Sequence, residues 1–77
     1  MKKAGEFGNP GDYVVDGHGN LIGVVHYSVH YRATTNNETV YNEVVKSLPW
    51  RDTREEAQAD LDAVAQKHGW QHYEEGQ

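Results

Sequence analysis

"LIGVVHYSVHYRA", Leu21 to Ala33, is rich in β-branched and aromatic residues and reads as one extended strand. In an extended chain, successive side chains point to opposite sides. Leu21, Val25, Tyr27, Val29, Tyr31 and Ala33, with Gly23, therefore share one face, expected to meet the core. Ile22, Val24, His26, Ser28, His30 and Arg32 share the other, expected to face outward.

Upstream, "DYVVD" is a second short strand, and "GHGN" between the two supplies residues tolerant of positive φ, the signature of a hairpin. Downstream, "TTNNE" suggests another hairpin turn centred on Asn36 and Asn37. That turn would set Val29 opposite Val44, Val25 opposite Leu48 and Ala33 opposite Val40 on the core face, with His30 opposite Glu43 and Arg32 opposite Tyr41 on the other. "TVYNEVVKSLP" then becomes strand three, favoured by its valines. The same residues also fit a helical stripe, with Thr35 and Glu38 as a capping box.

After Pro49, Thr53 is placed to cap a helix, with Glu56 three residues on and acids in the first turn. Lys67 and His68 precede Gly69, a fitting stop. The helix covers about 54–68 and presents Ala57, Leu61, Val64 and Ala65 as its apolar stripe, while Trp50 and Trp70 clamp its ends. The expected fold class is thus α+β: a three-stranded antiparallel β-sheet (about 12–16, 21–33 and 39–47) packed by one C-terminal helix, the alternative being ββαα with 38–48 helical. Residues 1–11 read as a flexible lead, 12–73 as a single domain and 74–77 as a frayed tail.

A chain of 77 residues can bury only about 60% of the surface its unfolded form exposes, so the core must be thin. Without cysteine, neither disulfides nor thiolate metal sites can supplement it, and a reducing cytoplasm fits. No apolar run approaches the roughly 20 residues of a membrane span, and "MKKAGEFGNPG" lacks the apolar middle of a signal peptide. The net charge of −5, from twelve acids against seven bases, opposes phosphate backbones and anionic lipid.

Five histidines raise the question of a metal. His26 and His30 lie four residues apart on one strand face, about 13 Å, too far to share an ion. Gly69 interrupts the helical register between His68 and His72. Ser28 and Ser47 lack a glycine elbow, and there is no phosphate-binding glycine loop. The helix acids fall away from the apolar stripe and read as solvated charge. No catalytic residue, metal or cofactor is assigned.

What remains is the outward sheet face. Ile22, Val24, His26, His30, Arg32, Tyr41 and Val45 would form a mixed apolar and aromatic patch there, suited to a protein partner or a second copy. A nucleic acid on the same face is the alternative, disfavoured by charge.

The helix opening "TREEAQADL", Thr53 to Leu61, after three expected strands resembles the N-terminal arm-binding domain of phage-type tyrosine recombinases, whose helix starts with a Thr-x-x-Glu-Ala-x-x-x-Leu run. The resemblance covers about 50 residues and implies a three-strand-plus-helix fold. That family reads DNA with basic strand residues, a part for which this chain offers Arg32 and Lys46. In its short, acidic, motif-poor character the chain is similar to small proteins of bacteria and their phages. The resulting expectation is a cytoplasmic, non-catalytic interaction module.

Overall fold

The computed structural model describes residues 11–73; the expectations for the lead and the tail lie mostly outside them. Strands β1 (Tyr13–Val14), β2 (Leu21–Tyr27) and β3 (His30–Thr35) are followed by helix α1 (Glu38–Glu43) and a 3-10 turn (Val45–Ser47). Helix α2 (Arg54–His68) and a short β4 (Gln71–His72) follow. The sheet is antiparallel in the order β3-β2-β1-β4, so the fold class is α+β, with four strands and two helices among the described residues.

Two corrections to the sequence reading matter. First, the expected strand of residues 21–33 is two strands joined by a tight turn at Ser28 and Val29, with Tyr27 paired to His30. Ser28 takes φ +59° while Val29 does not enter positive φ, the pattern of a type II′ turn built without glycine. Pairing 27 with 30 reverses parity across the hairpin: even residues of β2 share a face with odd residues of β3. Ile22 therefore lies beside Thr35 and Val24 beside Ala33, and all four are buried. Tyr27 and Val29, expected inside, are 71% and 70% exposed.

Second, the segment expected as strand 39–47 is helical, so the ββαα alternative describes it better. β3 already has β2 as its partner, so the valines of 40–45 are not needed as a strand. Asn37, expected in a turn, instead caps α1 by accepting from the Val40 N–H at 3.0 Å. The same side chain donates to Asp16 at 2.7 Å, tying α1 to the β1–β2 loop. Thr35 completes the junction, donating to the Leu21 carbonyl at 2.7 Å and accepting from the Asn37 N–H at 3.2 Å. The expected pairs Val29–Val44, His30–Glu43 and Arg32–Tyr41 consequently do not form in a ladder. The three-strands-then-helix order implied by the recombinase resemblance gives way to a helix between β3 and α2.

α2 follows its sequence signals closely. Thr53 accepts from the Glu56 N–H, and Gly69 closes the helix at φ +73°. Ala57, Leu61 and Ala65 are buried against Tyr13, Ile22, Val24 and Ala33, with Val45 of the 3-10 turn filling the flank. Ile22, Leu61 and Val45 are the largest side chains wholly removed from solvent, each worth about 1.5–3 kcal/mol. Trp70 packs on this core from beyond the helix end.

One carboxylate organises the β1–β2 loop. Asp16 accepts from the backbone of His18 and Asn20 and from the side chains of Asn20 and Asn37. These donors, the Asn20 side chain foremost, hold its carboxyl far below the usual carboxylate range.

Candidate interaction surface

The opposite end of the hairpin is built otherwise. Tyr31 and Arg51 exchange two backbone hydrogen bonds of 2.8 Å, an isolated bridge that lays residues 50–52 along β3. Parity then carries Trp50 to the side of Arg32, and Asp52 to the side of His30. The Arg32 guanidinium lies 4.1 Å from the centre of the Trp50 ring, and the Tyr27 ring is 5.9 Å from Trp50 at a 40° tilt. His30 Nε2 is 3.6 Å from Asp52.

Tyr27, Val29 and Trp50, the last 43% exposed, are the large apolar residues most open to solvent among the described residues, and they sit together at this end. All three arginines of the chain gather there too, but two are committed. Arg51 forms a two-pronged bond to Asp60 at 2.7 and 3.1 Å, which raises its already high pKa. Arg54 lies 5.2 Å from the centre of the Tyr31 ring and reaches the Val24 carbonyl at 3.5 Å. Arg32 has no carboxylate partner among the described residues, and its Nε is buried without an acceptor.

The residues singled out from the sequence are therefore divided. Ile22 and Val24 belong to the core because the face read as open is the one α2 covers, while Val45, in the 3-10 turn, and half-buried Tyr41, in α1, leave the sheet altogether and pack on that core. His26 lies on that helix-facing side, near the hairpin tip, exposed and stacked on Tyr31 at 4.5 Å. Only His30 and Arg32 meet on the uncovered face. Sequence reasoning missed Tyr27, Val29 and Trp50 at this surface; an exposed two-residue turn would have revealed the first two, but Ser-Val is an uncommon sequence for one.

The remaining histidine contacts are with aromatic rings. His68 stacks on Trp70 at 4.7 Å and His72 on Tyr13 at 4.4 Å. No group of three or more metal-ligating side chains converges among the described residues. Likewise, among these residues no helix is long and apolar enough to cross a membrane. Neither a known family, nor a curated protein, nor a solved structure matches this chain.

Proposed function

We propose that this protein is a non-catalytic interaction module that binds another protein, or a second copy of itself, through the end of the β2–β3 hairpin. One observation carries the reading: Tyr27, Val29 and Trp50, the most exposed large apolar side chains among the described residues, lie at one end of the hairpin beside Arg32. Trp, Tyr and Arg are the residue types that dominate binding energy at protein interfaces. The cysteine-free composition fits a reducing cytoplasm as the setting.

The reading is tested by placing a photo-crosslinking amino acid at Val29, and separately at exposed Gln66 on α2, in the native cells. Val29 is expected to give a discrete adduct that disappears with Trp50→Ala, and Gln66 none. Equal labelling from both positions, or adducts indifferent to Trp50→Ala, refutes the reading. A nucleic-acid partner is the second reading, favoured by the same rings and guanidinium as a stacking platform.

A further inference from the structure

Resting on that reading, we propose that the cluster of Arg32, Trp50 and Tyr27 receives a single carboxylate flanked by an apolar residue of the partner protein. Arg32 is the one arginine of the three without an acceptor among the described residues. Its Nε is shielded, whereas its terminal nitrogens form no hydrogen bond among the described residues and are not among the buried unpartnered atoms, so they are open to solvent. The Trp50 ring beneath the guanidinium holds it in place while its terminal nitrogens stay open, and a guanidinium with a free edge accepts a carboxylate through two parallel bonds. Tyr27, whose ring lies 5.9 Å from that of Trp50, and Val29 two residues along the turn add exposed apolar surface at the same end, which suits an apolar neighbour of the carboxylate.

Charge separates this ligand from a nucleic acid. Binding to a phosphate backbone draws its strength from several cations at once. Here Arg51 is neutralised by Asp60, Arg54 is turned to Tyr31 and the Val24 carbonyl, His30 faces Asp52, and the chain carries −5 overall. One free guanidinium matches one carboxylate.

The test is selection of a random heptapeptide display library on the immobilised full chain, with a fluorescein-labelled 15-mer of thymidylate as a second probe at low salt. Enriched peptides are expected to carry Asp or Glu next to an apolar or aromatic residue. Synthetic versions should lose about tenfold in affinity with Arg32→Gln, and most of that with Arg32→Lys, which keeps the charge but not the fork. Lys46→Gln should leave affinity unchanged, and circular dichroism should report the same fold for all variants. Enrichment of basic or purely apolar peptides that still require Trp50 overturns the carboxylate assignment while sparing the surface. Peptides indifferent to Trp50→Ala, or no enrichment, overturn both. Thymidylate binding lost with Arg32→Gln, in the absence of peptide binding, transfers the surface to the nucleic-acid reading.

Discussion

The two halves of strand β2 are adjacent in sequence and opposite in character. From Leu21 to Val24 the strand lies under α2, flanked by β1 and β3, and Ile22 is wholly buried. From Val25 onward burial lapses, Tyr27 stands in solvent, and the chain reverses through a serine in a left-handed conformation. The near half concentrates the burial that stabilises a thin domain, and the far half holds apolar surface and backbone strain that contribute nothing to folding. Strain and exposed aromatic rings maintained in one place are a reason to look for function there.

The comparison is tested most strongly by removing one side chain from each half. Ile22→Ala should cost about 3 kcal/mol in urea unfolding, because it leaves a cavity among Leu61, Val24 and Ala57. Tyr27→Ala should change stability by about 0.5 kcal/mol or less, since little of the ring is buried. Comparable losses in the two variants would dissolve the distinction.

Glycine 23 sharpens the picture of the near half. A side chain there would run into the Asp12 carboxylate, itself buried, so Gly23→Ala should destabilise by about 2 kcal/mol as that neighbour is forced aside. A melting temperature equal to that of the parent would mean that Asp12 yields freely.

A smaller effect tests the junction of β1 with the helix. The Tyr13 hydroxyl donates to Asp62 at 2.7 Å, and Gln58 braces that carboxylate from 2.9 Å while also reaching the Gly11 carbonyl. Burial first, and then the bond to Asp62, push the Tyr13 pKa up to about 12. The folded state thus binds this proton more tightly than the unfolded chain. The stabilisation is complete below the unfolded value near 10 and drains away as pH rises toward 12. Tyr13→Phe should cost about 1 kcal/mol at neutral pH and flatten the decline between pH 10 and 12. An unchanged alkaline limb would assign that decline to other groups.

The same contrast explains what the sequence could disclose. α2 was legible because its signals are local: Thr53, Glu56 and Gly69 each satisfy or close backbone groups within a few residues. The hairpin tip was not, because Ser28 and Val29 carry none of the glycine or asparagine that usually marks such a turn. Before residue 26, moreover, both parities of β2 are apolar, Leu21 and Val25 on one side and Ile22 and Val24 on the other. Reading through the turn kept one parity for thirteen residues and turned the sheet inside out. Asn37 misled for a related reason, since a residue that starts a turn also caps a helix, and only the bonds to Val40 and Asp16 decide between them. Arg32 was identified, but its companion Trp50, eighteen positions along the chain, is brought there by the Tyr31–Arg51 backbone bridge that no periodicity announces.

The smallest effect expected concerns that turn. A left-handed conformation costs a residue with a β-carbon about 1 kcal/mol, whereas glycine adopts it freely. Ser28→Gly relieves the cost at φ +59° but gives the unfolded chain more freedom to lose, so the net gain should be about 0.5 kcal/mol. The gain should be accompanied by unchanged burial of Ile22, whose half of the strand the turn does not touch. A loss of stability instead would mean that the serine is held by contacts worth more than its strain, and the far half of β2 would then be a second structural element.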